Sequence, residues 1–208
     1  MNRKKVLILG ATGLFGSALT ERLAALDRYE LTLSARHAAD KYKSSEHLKV
    51  VNCNAENADE LSVLVKNSDV VYCAISGEVL PAVAKNLVSA DVKRLLFMGA
   101  VGIYNEIPDD MDGDDNLDNE PAQIPNRKAA DLIEASGLNY TILRPGYLRE
   151  GERDDYILSF KGEPANGYIS TIPSVVELAV KLIDDDNLYV RESVSITKDM
   201  RGDVFEKA

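Results

Sequence analysis

What most constrains the fold of this chain is a rhythm in its sequence: seven short apolar runs, separated by amphipathic stretches. The runs cover residues 6–9, 31–34, 48–52, 70–73, 95–98, 140–143 and 193–197. Most are continuous and not alternating, as strands buried on both faces require. Strands that alternate with helices build a parallel sheet covered by helices on both sides. The expected class is α/β, with a doubly wound sheet of about six to seven strands. At 208 residues the chain is long enough for a sizeable core without cross-links.

Helices fill the gaps. Phe15, Leu19, Leu23 and Leu26 recur at three- or four-residue spacing, and Val79, Val83 and Leu87 do the same. Asn57 with Glu60, and Ser174 with Glu177, have the spacing of a helix cap and its reciprocal partner. Ser174, after a proline and before a long apolar stripe, reads as a helix start, and Gly137 as a left-handed helix end. No internal repeat or long linker interrupts the chain. Residues 1–208 read as one domain, with about 149–208 packing over the sheet's C-terminal edge and contributing to a substrate-side pocket.

The motif with the most chemistry is Gly10-Ala-Thr12-Gly13-Leu14-Phe15-Gly16, placed between the first strand and an amphipathic helix. In that context Gly10 permits the tight turn, Gly13 lets the backbone approach a pyrophosphate, and Gly16 lets the helix pack against the strand. The helix N-terminus offers free N–H groups and a partial positive charge. The expected ligand is a dinucleotide, and the expected fold Rossmann-like.

The second strand indicates which dinucleotide. It ends Ser34-Ala35-Arg36-His37, with no acid before Asp40 to hold the adenosine ribose. Arg36 suits a 2′-phosphate through its planar fork, and Ser34 can add a hydroxyl. NADP(H) is therefore expected over NAD(H). His37 reads as a surface neighbour, and His47 has no supporting context.

Two cysteines, Cys53 and Cys73, do not make a disulfide framework. The first apolar run is too short for a secretory signal, and no stretch has the apolar length of a membrane span. A cytoplasmic protein with reduced thiols is expected. Acids outnumber bases 34 to 24, for a net charge of −10. That sign disfavours nucleic acid and anionic membranes as partners. The charge is local, however. Residues 106–120 carry eight acids (Glu106, Asp109, Asp110, Asp112, Asp114, Asp115, Asp118, Glu120) and no base, and removing those charges brings −10 to −2. The segment reads either as a solvated loop or as a lid that disfavours anionic substrates.

The glycine turn, Arg36 and the stretch Ser136-Gly-Leu-Asn-Tyr-Thr141-Ile-Leu-Arg144-Pro145-Gly146 together resemble the atypical short-chain dehydrogenase/reductases, in particular their NAD(P)H-binding, NmrA-like branch. Met98-Gly-Ala-Val-Gly-Ile-Tyr104 stands where that group has its Ser-Ser-x-Gly-x-Tyr. The resemblance implies further cofactor contacts. Asn54 and Ala55 would face the adenine, and Cys73, Ala74 and Ile75 would pass under the ribose and pyrophosphate. Gly99 and Ala100, with Pro145, Gly146, Tyr147 and Leu148, would flank the nicotinamide. It also implies that the Cys53 and Cys73 strands lie on opposite sides of the first two, too far apart to be bridged.

The resemblance fails at the reacting groups. Ala122 and Asn126 stand in place of the usual Tyr-x-x-x-Lys, and Gly99 and Ala100 in place of the serine. A shifted alignment could bring Lys128 into the lysine position, without restoring the tyrosine. Tyr104 and Tyr147 are weak catalytic candidates. No metal site is expected, because the two histidines have no Cys or Asp cluster around them. Without a positioned acid, which contributes typically 100- to 10,000-fold, an acceptor that delocalises its new electrons suits the chain better than a simple ketone. Two functions remain open: an NADPH-dependent reductase of a quinone, flavin or similar small molecule, and a non-catalytic NADP(H)-binding redox sensor acting on a protein partner. A nucleotide-sugar epimerase ranks last, and a homodimer is a weak expectation.

Overall fold

The computed structural model describes residues 3–111, 113–152 and 155–201. Asp112 of the acidic segment, and the ends of the expected 1–208 domain, lie outside the described residues. The strands are β1 (Lys4–Leu9), β2 (Tyr29–Ala35), β3 (Leu48–Asn52), β4 (Val70–Cys73), β5 (Leu95–Met98), β6 (Tyr140–Pro145), β7 (Tyr147–Arg149), β8 (Tyr156–Phe160), β9 (Ile169–Thr171) and β10 (Glu192–Lys198). The main sheet has eight of them, in the order β3-β2-β1-β4-β5-β6-β10-β8, while β7 and β9 pair separately. All neighbours in the main sheet are parallel except β8, which runs antiparallel to β10. This is a Rossmann-like doubly wound sheet.

The helices are α1 (Leu14–Leu26), α2 (Ala38–Lys41), α3 (Ala58–Lys66), α4 (Leu80–Ser89), α5 (Ile124–Glu134) and α6 (Ile172–Asp184). Successive strand residues point to opposite faces, and two core layers result. Leu7, Leu9, Val71, Leu95 and Phe97 meet α3, α4 and α5 through Leu61, Val83, Leu87 and Ile133. Val6, Ile8, Tyr72, Leu96 and Val194 meet α1 and α6 through Leu19, Leu23, Leu178 and Leu182. β1, β4 and β5 are apolar on both sides, which is why their sequences do not alternate, whereas β2 and β10 alternate apolar with polar residues.

Several expectations are corrected. β10, the strand expected over 193–197, continues the sheet beyond β6; β8 adds one more strand at that edge in place of packing over it, while β7 and β9 pair apart from the main sheet. The last helix starts earlier than Ser174. Thr171 is its N-cap, with its hydroxyl 2.9 Å from that of Ser174 and accepting the Ser174 N–H at 3.4 Å. Pro173 fits inside the first turn because its missing N–H would have had no helical partner there. Gly137 has no left-handed backbone; α5 ends at Glu134, with Ala135 in the right-handed region. The Asn57–Glu60 cap forms as expected, with the Asn57 side chain accepting the Asp59 and Glu60 N–H groups.

The acidic segment is folded down. It forms short 3₁₀ turns at Asp109–Met111 and Gly113–Asp115. Asn116 is buried, donating to the Ile107 carbonyl at 2.8 Å and accepting the Ile107 N–H at 3.0 Å. Ile107 and Met111 pack with Val101 and Ala165 in a small third cluster. Asp109, Asp110, Asp114 and Asp118 remain exposed.

Candidate functional site

β1 and β4 are neighbours, yet the chain leaves β1 toward β2 and leaves β4 toward β5. Such a reversal opens a crevice at the carboxyl ends of the strands. A cavity of about 380 Å³ lies there, lined by Leu9, Gly10, Thr12 and Gly13 after β1 and by Ala74, Ile75 and Ser76 after β4. It continues across the ends of β2 and β3 along Ser34, Arg36, Cys53, Asn54 and Ala55.

The glycine turn is built as its spacing predicts. Gly10 has φ +77, and a Cβ on it would stand 2.9 Å from the Ala74 carbonyl group. Its N–H and that of Ala11 both donate to the Ser34 carbonyl, at 2.9 and 3.1 Å, which hangs the turn on β2. A Cβ on Gly16 would collide with the Gly10 carbonyl, so the close approach of helix and turn excludes a larger residue. Gly13 caps α1 without a side chain, and no acid lies in the first turn. The helix therefore keeps its positive end open toward the cavity. Two contacts from the α2 region brace the turn, Tyr42 Oη to the Ala11 carbonyl at 3.0 Å and Lys41 Nζ to the Thr12 carbonyl at 3.3 Å.

The opposite wall is held as firmly. Asn86 of α4 donates to the Ala55 and Glu56 carbonyls at 3.0 and 2.9 Å, and Glu60 accepts the Asn54 N–H. Cys53 sits beside Ser34 and Glu60, and burial pushes its thiol pKa up. Arg36 is exposed at the cavity and makes no hydrogen bond or ion pair among the described residues. An open helix end, a backbone turn with no room for side chains and an uncommitted guanidinium all fit a phosphorylated dinucleotide.

Of the residues expected at the cofactor, Gly10, Thr12, Gly13, Ser34, Arg36, Asn54, Ala55, Ala74 and Ile75 line this cavity. Leu14, Phe15 and Gly16 begin α1 behind it. Cys73 does not reach it; its thiol is fully buried in the core, where desolvation raises its pKa to about 12. Gly99, Ala100, Pro145, Gly146, Tyr147 and Leu148 lie outside the cavity, at the ends of β5 and β6. His37, Cys53, Glu56, Ser76, Val79 and Val83 also line it. The sequence hides the last two, because Val79 and Val83 share the periodic stripe that marks a core-facing helix.

At the end of β5 the Gly99 N–H donates to Leu143 and the Val101 N–H to Pro145, at 2.8 and 2.9 Å. The neighbouring side chains are amides. Gln123 donates to the Val101 carbonyl at 3.3 Å, and Asn126 donates to Gln123 at 3.0 Å. Gly146 packs so closely that a Cβ would collide with the Tyr168 carbonyl, and its N–H is taken by Ser170. Tyr147, 68% exposed, follows it.

Tyr104 points elsewhere. Its hydroxyl is 2.8 Å from Glu134 and 3.2 Å from Ser193, and burial raises its pKa. Arg144, Arg127 and Lys161 crowd its ring at 5.0, 5.1 and 4.6 Å. The phenol belongs to a packed polar network and not to the cavity.

A family described as NAD(P)H-binding matches residues 10–186, which span the glycine turn and the helices α1 to α6. The chain belongs to the NAD(P)H-binding family. Among solved structures this member is similar to a Rossmann-fold NAD(P)-binding family protein from Shigella flexneri, with 33% identity, TM-score 0.82, and 100% of this chain and 98% of that one covered. It is also similar to a wide-type short-chain dehydrogenase/reductase from Veillonella parvula in complex with NADP, with 25% identity, TM-score 0.85, and coverage of 100% and 99%. An anaerobilin reductase from Escherichia coli shares the fold at 17% identity and TM-score 0.75, over 98% of this chain and 100% of that one. No curated protein matches the chain. Among the described residues no helix is long and apolar enough to cross a membrane.

Proposed function

We propose that this chain is an oxidoreductase that binds NADP(H) in the cavity at the β1–β4 crevice and passes hydride from NADPH to a conjugated small molecule such as a quinone or flavin. The observation that carries the reading is the uncommitted Arg36 at the mouth of a cavity floored by the glycine turn. Gly13 and the open end of α1 would hold the pyrophosphate. Arg36 and Ser34 would hold the adenosine 2′-phosphate, Arg36 as a bidentate donor. The NADP in the Veillonella parvula relative supports that preference. Asn54 and Ala55 would face the adenine, with Val79 and Val83 as an apolar wall. Gly99, Ala100 and the segment from Pro145 to Leu148 would flank the nicotinamide.

When bound, the dihydronicotinamide supplies a hydride. The chain contributes orientation. The glycine turn, pinned to Ser34, fixes the phosphates, and the Gln123–Val101 bond fixes the end of β5. Gly99 and Ala100 offer no acid, and the adjoining Gln123 and Asn126 are neutral amides, so solvent, or the exposed Tyr147 phenol, would supply the proton. A quinone or flavin accepts hydride into a π system and takes the proton afterwards, whereas a simple carbonyl needs it in the transition state. Residues 141–146 and the glycine turn support assignment to the NmrA-like branch. The two free, buried thiols support a reducing, cytoplasmic location.

The absent Ser, Tyr and Lys also favour a second reading, an NADP(H)-binding redox sensor that acts through a protein partner. A panel of quinones, flavins and aldehydes mixed with NADPH separates the two. An oxidoreductase turns over the conjugated members and spares the aldehydes. A sensor binds NADP+ and NADPH with clearly different affinity and turns over nothing.

A further inference from the structure

The chain turns its tyrosines inward, with one exception. Eight of the nine are buried or half-buried, whereas Tyr147 is 68% exposed. It carries the one exposed aromatic ring among the described residues. The Val101 N–H donates to the Pro145 carbonyl at 2.9 Å and ties the ends of β5 and β6 together, and Tyr147 stands two positions further on. This is the carboxyl edge, outside which an open sheet binds its ligands.

The backbone under the ring is fixed from several sides. The Tyr147 N–H donates to the Tyr168 carbonyl at 2.6 Å, and the Gly146 N–H to the Ser170 hydroxyl at 2.8 Å. That hydroxyl donates in turn to the Ile196 carbonyl of β10 at 2.5 Å. β7 pairs with β9 from Tyr147 and Ile169 to Arg149 and Thr171, and Thr171 caps α6. Alternation along β7 turns Leu148 inward and Tyr147 outward. A short ladder bolted to β10 and α6 thus holds a bare ring at the ligand edge, on the kind of rigid support a binding residue needs.

We infer that Tyr147 is the stacking platform of the acceptor site, and that the acceptor is a flat, fused ring system. This rests on the reductase reading above and narrows its substrate class. Hydride enters one face of a flat acceptor, which leaves the other face to the protein. A tyrosine covers that face at low entropic cost, since only two side-chain torsions are fixed. Ring stacking adds to plain area burial, and its many small contacts multiply with overlap. A naphthoquinone or an isoalloxazine therefore suits the platform better than a single benzoquinone ring. The naphthoquinone gains hydride from NADPH and a proton from solvent, leaving naphthohydroquinone and NADP+.

The test separates binding from turnover. Oxidised riboflavin is titrated into protein saturated with NADP+, where no reduction occurs, and quenching of its fluorescence gives a Kd. NADPH oxidation is then followed with a methylated naphthoquinone and with the matching methylated benzoquinone. Tyr147→Ala should weaken riboflavin roughly two- to twelvefold, the worth of one aromatic pair. It should raise the KM for the naphthoquinone by a similar factor, with smaller effects on kcat and on the benzoquinone. Tyr147→Phe keeps the ring and should match the unaltered protein in both assays. No loss in Tyr147→Ala overturns the inference. An equal loss in Tyr147→Phe also overturns it, and gives the role to the phenol. Ring-dependent riboflavin binding without NADPH oxidation by either quinone keeps the platform and overturns the reductase reading. If riboflavin is not bound and neither quinone is reduced, both fall.

Discussion

Arg144 and Glu106 form an ion pair inside the protein, with 0% and 6% of their side chains exposed. Arg144 also donates to the Ser193 hydroxyl at 3.1 Å and to the Ser159 and Ser193 carbonyls at 3.3 Å, so one guanidinium joins β6, β8, β10 and the start of the acidic segment. Glu106 in turn accepts the Gly102 and Tyr104 N–H groups, at 3.0 and 2.9 Å. The pair fixes the loop after β5, where the nicotinamide end of the cofactor would sit. Desolvation lowers the Arg144 pKa to about 10, so the guanidinium stays charged at neutral pH.

Removing one partner leaves a buried charge without its counter-ion, which costs roughly 3–5 kcal/mol. Glu106→Ala should therefore lose about that much stability in urea unfolding. Glu106→Ala combined with Arg144→Met should lose less than the two single changes together. Strict additivity in the double-mutant cycle would show that the pair is not coupled.

Arg36→Ala should weaken NADPH far more than NADH. Hydrogen bonds to a charged group contribute about 1.5–3 kcal/mol, so the KM for NADPH should rise roughly 10- to 150-fold. The KM for NADH should move little. Equal effects on both cofactors would remove Arg36 from the 2′-phosphate.

Gly146→Ala and Gly137→Ala should behave oppositely. A methyl on Gly146 meets the Tyr168 carbonyl, and backbone cannot move aside cheaply. Overpacking of that kind costs about 1–3 kcal/mol, and it would also shift β7 and Tyr147. Gly137 has open space within 4 Å of a built Cβ and no positive φ. Alanine there should be neutral or stabilise by about 0.4–1 kcal/mol. Thermal melts of the two variants decide it.

The thiols give a pH prediction. Cys73 has its pKa raised from 9.0 to about 12 by burial, so the folded state holds this proton more tightly than the unfolded chain does. Its contribution is present below pH 9 and is lost as pH rises toward 12. The stability of the unaltered protein should fall across that window, and Cys73→Ala should fall less steeply. Parallel slopes in urea unfolding at several pH values would contradict the assignment.

What the sequence made legible was local. The seven apolar runs correspond to the strands that carry both core layers, and the spacing from Gly10 to Gly16 carried enough geometry to locate the turn. β7, β8 and β9 leave little trace in the sequence: β7 and β9 are three residues long, and the apolar run of β8 is only Tyr156-Ile157-Leu158. Glu106 was indistinguishable from the acids around it; its partner lies 38 positions away, beyond any local period. The same holds for the segment as a whole. Its exposed aspartates fit a solvated loop, but Asn116, Ile107 and Met111 anchor it through contacts that composition cannot show. The Ser174–Glu177 spacing imitates a cap, but Pro173 before it lies within the first turn, where proline is favoured, and the cap is Thr171.

Hydride transfer from NADPH at this site to a conjugated acceptor can be observed in a single turnover, by mixing the preformed protein–NADPH complex with a quinone and using NADPH deuterated in turn on each face of C4. The reduced-cofactor absorbance should be lost in step with hydroquinone formation, and deuterium on one face only should slow it. A complex that forms tightly yet keeps its NADPH reduced in the presence of quinone and flavin alike would contradict it.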